Sequence, residues 1–105
     1  MKSLYFIGSS LDDLRVFPQD ARRCAGFELR RIQEGLEPTD WKPMKEVGAG
    51  AREIRVRCDD GAFRVFYVVW NDSAIYVLHA FQKKTQKTTQ GDIDKGSKRY
   101  KAIEQ

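Results

Sequence analysis

The dipeptide Asp60-Gly61 lies between two runs of strand-forming residues, Ala51–Cys58 and Ala62–Trp70, and no other stretch constrains the chain as strongly. A two-residue Asp-Gly loop of the primed type matches the twist of an antiparallel pair, so the two runs are predicted to form a hairpin of defined register. In that register Asp59 faces Ala62, Arg57 faces Arg64 and Ile54 faces Tyr67. One face then carries Ile54, Val56, Cys58, Phe63, Val65, Tyr67 and Val69, without a charge, and is predicted to lie under helices. The opposite face carries Glu53, Arg55, Arg57, Arg64, Phe66, Val68 and Trp70.

A third run, Ala74–Phe81, follows the turn residues Asn71-Asp72-Ser73. An even-length turn puts Tyr76, Leu78 and Ala80 on the core face and Val77, His79 and Phe81 on the arginine face; a three-residue loop would break this parity. Arg64 then faces His79, or Phe81 if the loop slips. The stretch Ile75–Lys87 changes character halfway, from IYVLHAF to QKKTQK, so a strand is expected to deliver a histidine and a lysine cluster to one edge. Arg57 directly opposite Arg64 is unfavourable for a purely structural surface. Glu53 offsets that repulsion only in part. Arginines beside a histidine on an open sheet face, next to Lys83 and Lys84, form the pattern of a phosphate-binding site.

The remaining elements frame this sheet. Lys2–Ile7 is predicted to be a strand ended by Gly8. Ser9 or Ser10 caps a short helix that turns Leu11 and Leu14 inward and stops at Phe17-Pro18. A second helix runs from Pro18 to about Gln33, with Ala21, Ala25, Leu29, Ile32 and Leu36 as its buried stripe and Arg22, Arg23, Arg30 and Arg31 outside. The segment from Glu34 to Gly50 is expected to be a loop pinned by Trp41 and Met44. Gln90–Gln105 is expected to be a last helix, weakened by Gly91 and Gly96 and either mobile or ordered only on a partner.

A chain of 105 residues is expected to be one domain spanning residues 1–105. It has no apolar run long enough for a membrane span and a poor signal sequence, which gives a cytoplasmic expectation. Cys24 and Cys58 lack metal-ligand spacing and are expected to be buried free thiols; no cofactor and no metal site is expected. The net charge is +4, yet residues 1–50 hold 8 basic and 8 acidic side chains, and residues 51–82 hold 4 of each. The whole excess lies from Lys83 onward, 7 basic against 3 acidic, which suits an anionic partner such as nucleic acid or a solubilising final helix.

Cutting RNA without a metal requires a group that takes the 2′-hydroxyl proton, one that protonates the leaving oxygen, and cations that stabilise the phosphorane. His79 has the intrinsic pKa for proton transfer, Arg55 and Arg64 for holding the phosphate, and Lys83 or Lys84 for either task. A satisfied half-buried strand histidine is the competing reading of His79. No P-loop, dinucleotide fingerprint or nucleophile elbow occurs, and no carboxylate pair stands out.

The order strand, two helices, three antiparallel strands and a basic helix, together with AREIRVRCDDGAFRVFYVVW and IYVLHAFQKKTQKTTQGDI, resembles the RelE/ParE toxin superfamily, in particular its phage-derived HigB-like branch. The resemblance covers nearly the whole chain, and LHAFQKKTQKT is its most specific part. It implies an α+β RelE-like fold with an antiparallel-rich sheet on two N-terminal helices. It also implies the toxin of a type II toxin–antitoxin pair, neutralised by a helix-turn-helix antitoxin and cutting mRNA on the ribosome. The resemblance maps the family's motif arginines onto Arg55 and Arg64 and its basic segment onto Lys83, Lys84 and Lys87. With His79 added from its position and chemistry, Arg55, Arg64, His79 and Lys83 are the candidate catalytic residues; with Arg57 added from the sheet face, Arg57, Lys83, Lys84 and Lys87 are expected to bind RNA. The chain departs from the family pattern at Thr89, where proline is usual, and at Arg52, where an aromatic is usual. A gyrase inhibitor of the ParE type that cuts nothing, and an inactive prophage remnant, are the alternative functions.

Overall fold

In a computed structural model, which describes residues 1–104, the elements are β1 (Ser3–Phe6), α1 (Ser10–Arg15), α2 (Gln19–Gln33), β2 (Trp41–Pro43), β3 (Ala51–Cys58), β4 (Gly61–Asn71), β5 (Ala74–Lys83) and α3 (Gln90–Glu104). Gln105, the last residue of the predicted helix, lies outside the described residues. The five strands form one sheet in the order β1-β5-β4-β3-β2, antiparallel except for the parallel β1–β5 pair. β2 is an addition to the predicted element order. Trp41 and Met44 hold that segment, Met44 by burial and Trp41 by stacking under the Arg52 guanidinium at 3.9 Å.

The sheet is covered on both faces. Against one lie α1 and α2, burying Leu14, Phe17, Ala21, Ala25, Leu29 and Ile32 on Ile54, Val56, Phe63, Val65, Tyr67, Ile75, Val77 and Ala80. Leu36 does not extend this stripe, because the chain turns at Gly35 (φ +86°) after α2 ends and leaves Leu36 exposed. The other face, expected to be open, is a second core. Phe66, Val68, Leu78, Met44 and Val47 meet Tyr100 of α3, with Ile93 and Ile103 beside them. Close approach there depends on missing side chains: a Cβ on Gly48 would stand 2.5 Å from the Tyr100 ring, and one on Gly96 2.7 Å from the Phe66 ring. Gly96, expected only to weaken α3, is what lets it dock. α3 therefore has its partner within the chain.

The β3–β4 hairpin differs from its predicted register by two residues. Gly61 adopts φ +129° as the first residue of β4, opposite Cys58, so Asp59-Asp60 form the connection and no residue other than glycine needs a positive φ. Arg55, not Arg57, faces Arg64, and Arg57 faces Ala62. A shift of two preserves the side-chain alternation, so the two predicted faces of β3 and β4 survive it. On β5 the alternation breaks. Register irregularities fall between Phe66 and Tyr67 and between Val69 and Asn71, and Leu78 has no opposite residue on β4. Consequently Val77 joins the helix-side core and Tyr76 and Leu78 the α3 side, the reverse of expectation, while Ala80 and His79 fall as predicted.

Candidate RNA-binding and catalytic site

Adjacent strands β3 and β4 place Glu53, Arg55 and Arg64 together, and Lys83 of β5 lies close enough to feel their charge. Glu53 has no exposed surface, and its Oε1 lies 3.6 Å from Arg64 Nε, 3.8 Å from Arg55 Nε and 3.9 Å from Lys42 Nζ. Its Oε2 accepts a hydrogen bond from Thr88 Oγ1 at 2.8 Å. The repulsion expected between paired arginines is thus offset by one buried carboxylate beneath them. The ion pairs are long, however: Glu53 Oε1, Arg55 Nε and Arg64 Nε are buried and make no hydrogen bond. The two arginines are thus held beside Glu53 by charge and not by hydrogen bonds to it.

The cations differ in access. Arg64 is almost fully buried and donates from Nη1 to Phe63 O at 3.0 Å. Desolvation lowers its pKa, opposed by Glu53 and reinforced by Arg55 and Arg57. Arg55 is partly exposed and also faces Asp40 at 4.0 Å. Lys83 is half-buried, and desolvation lowers its pKa, with Arg64, Lys42 and Arg55 adding to the effect and Glu53 opposing it. Arg57, Lys84 and Lys87 are exposed. Lys83, Lys84 and Lys87 line a small cavity of about 160 Å³ with Thr85, Thr88 and Asp92. Thr88, which donates to Glu53, links this cavity to the arginine pair.

His79 belongs to a different arrangement. It lies opposite Phe66, not Arg64, and stacks on Phe81 with ring centroids 4.7 Å apart. Its Nε2 is 2.7 Å from Asp92 Oδ1, in the first turn of α3, and its buried Nδ1 has no hydrogen-bond partner. A carboxylate partner makes Nε2 the protonated nitrogen of the neutral ring. Burial lowers the imidazole pKa; Asp92 opposes this, while Lys95 and Arg99 add to it. The single cluster expected from sequence is therefore two: cations around Glu53, and His79–Asp92 beneath α3, with Phe81 beside both.

Three residues that matter here were not singled out as site residues. In sequence Glu53 reads as an offsetting charge, Asp92 as one residue of a helix and Thr88 as the end of the basic segment. Thr89 and Asp92 carry a readable pattern, Thr-x-x-Asp at a helix start. The Asp92 N–H donates to Thr89 Oγ1 at 3.2 Å, and Thr89 Oγ1 donates to Asp92 Oδ2 at 2.8 Å. Thr89 thus caps α3 and orients the carboxylate that holds His79. The cysteines are free, but Cys24 is exposed and Cys58 half-buried, not buried as expected. Among the described residues no group of three or more His, Cys, Asp or Glu converges, and no helix is long and apolar enough to cross a membrane.

Residues 12–101, most of the chain, match the phage-derived Gp49-like protein family (DUF891). The chain belongs to the Gp49-like family. No curated protein sequence matches it significantly. Among solved structures, it is similar to the toxin RelE of E. coli, determined in the free state with two arginines changed to alanine. The TM-score is 0.66 at 14% identity, covering 97% of each chain. That likeness is one of fold: the Gp49-like chain has the α+β architecture of RelE, as the sequence resemblance implied.

Proposed function

We propose that this Gp49-like protein is the toxin of a toxin–antitoxin pair and cuts mRNA on the ribosome without a metal ion. The reading is carried by one observation: Arg55 and Arg64 meet at the buried Glu53, and Lys83, close enough to feel their charge, lines a cavity with Lys84 and Lys87. The 2′-oxygen attacks the neighbouring phosphorus, the bond to the 5′-oxygen breaks, and a cyclic phosphate and a free 5′-hydroxyl result. Arg55 and Arg64 stabilise the charge on the phosphorane. Lys83, beside the arginine pair, carries the proton from the 2′-hydroxyl to the leaving oxygen. His79, buried and tied to Asp92, acts by holding α3 and Phe81 in place. Lys84 and Lys87 bind the RNA backbone, and a helix-turn-helix antitoxin covers the basic side.

The test is primer-extension mapping of a reporter mRNA after brief induction of the protein, with and without translation, beside Arg55→Ala and Lys83→Ala. Both positions are partly exposed, so these variants are expected to fold, which circular dichroism checks. Expected are new cleavages that need translation and disappear in both variants. Growth arrest with intact mRNA and broken DNA would replace this reading with that of a gyrase inhibitor, and absence of both arrest and cleavage would refute it.

A further inference from the structure

The proposed reaction leaves one groove unused. β2 pairs with β3 only at Arg52–Ile54, and the Arg55 N–H donates to Asp40 O at 2.9 Å; beyond that point the outer edge of β3 has no neighbouring strand. Between this edge and α2 lies an open groove of about 540 Å³, with Phe27 and Cys24 on the helix side and Val56 on the strand side. Its walls are almost wholly apolar, and Phe27, 62% exposed, presents its ring to the groove's opening. Arg55 and Arg57 stand at its rim. The acidic groups there are engaged: Glu28 accepts from the Thr39 N–H at 2.9 Å, and Asp40 lies 4.0 Å from Arg55. Arg57 is exposed and takes part in no ion pair among the described residues.

We propose that this groove is the subsite for the nucleotide next to the cleaved phosphate, where a base of single-stranded RNA stacks on Phe27 and its phosphate is held by Arg57. The inference rests on the RNA-cutting reading and adds a binding site to it. Arg55 lines the groove and also reaches Glu53 of the cation cluster, so one residue joins the two places. Arg55 and Arg57 are two strand residues apart, about 6.6 Å, so their guanidinium groups offer successive contacts along one backbone. An apolar aromatic wall with cations along its rim is the combination that binds single strands with little sequence preference.

The experiment uses the intact protein and a fluorescent hexaribonucleotide with 2′-O-methyl groups, which cannot be cleaved, so binding is read apart from catalysis. Phe27→Ala is expected to weaken binding about tenfold, as loss of one stacked base does, and Phe27→Trp to keep it. The oligonucleotide is also expected to slow alkylation of Cys24 in the groove wall, with Cys58 as internal reference. Unchanged affinity in a folded Phe27→Ala, or unprotected Cys24 at saturating oligonucleotide, would overturn the proposal. So would a Phe27→Ala that binds RNA normally but loses affinity for the protein partner. If cleavage in cells depends on Lys83 while Phe27→Ala binds normally, the subsite fails and the cleavage reading stands. If the wild type cuts nothing yet loses RNA through Phe27→Ala, the outcome is the reverse.

Discussion

Replacing Glu53 by glutamine is expected to lower stability and strengthen anion binding in the same molecule. The substitution keeps the side chain's volume and leaves an acceptor for Thr88, so it opens no cavity and removes mainly the charge. Of the three cations near that charge, Lys42 and Arg55 are partly exposed and regain water, whereas the Arg64 side chain is 4% exposed and cannot. Leaving one buried charge without its partner costs about 3–5 kcal/mol. The long 3.6 Å separation places this case near the lower end, about 3 kcal/mol. For a domain of this size that corresponds to a fall in Tm of roughly 10 °C or more. Urea unfolding followed by the fluorescence of Trp41 and Trp70 measures it directly. Salt should not restore the loss, because a buried pair is poorly screened. The double variant Glu53→Met, Arg64→Met should recover to within about 1 kcal/mol of wild type, since removing both charges also removes the desolvation penalty. With Arg64 and Arg55 no longer held by a carboxylate, the single variant should bind the uncleavable oligonucleotide more tightly. A Glu53→Gln protein within about 1 kcal/mol of wild type at unchanged m-value, or one without a gain in affinity, would refute the argument that this carboxylate anchors the cation cluster.

Three further outcomes are expected. Gly96→Ala should destabilise by about 1–2 kcal/mol in chemical unfolding, because overpacking against the buried Phe66 ring outweighs the helix gain, whereas Gly26→Ala, with no atom within 4 Å of the new Cβ, should stabilise by up to about 1 kcal/mol. Burial lowers the His79 pKa, with Asp92 opposing and Lys95 and Arg99 reinforcing, so below its ordinary value of 6.5 the folded state binds fewer protons than the unfolded. The stability from keeping His79 neutral is then full above about pH 6.5 and lost as the pH falls through 6.5 toward the lower native value; His79→Gln should flatten that part of the stability–pH profile. Replacing Lys83 and Lys84 together by alanine should reduce the slope of log affinity against log salt for single-stranded RNA by about 1.4, and an unchanged slope across a salt titration would make them ordinary surface lysines.

How far the sequence could be read depended on the range of the interaction. The element types followed from local patterns: helical spacing from Ala21 to Ile32, apolar alternation from Ile54 to Val69, and glycine or turn residues between them. The faces of β3 and β4 followed too, because side-chain alternation has period two and a register error of two residues leaves it intact. The partners of Arg64 did not follow: Arg55, not Arg57, lies opposite it on β3, and Phe81, the residue expected only if the loop slips, lies opposite it on β5.

What only the tertiary structure decided was set by contacts distant in sequence. The unpaired Leu78 on β5 turned Tyr76 and Leu78 away from their expected face, and neither local composition nor turn length marks such an irregularity. The docking of α3 depends on Gly48 and Gly96 lying where the rings of Tyr100 and Phe66 pass, and in sequence a glycine inside a helix reads only as a weak point. That docking buries His79 against Asp92 and brings Thr88 down onto Glu53, dividing one expected cluster into a buried anchor and an accessible cation site. The sequence by itself determined which charges this protein carries and along which strands. Which of them meet water was settled only when the basic C-terminal segment folded back over the sheet, because burial belongs to the packed whole and not to any one segment.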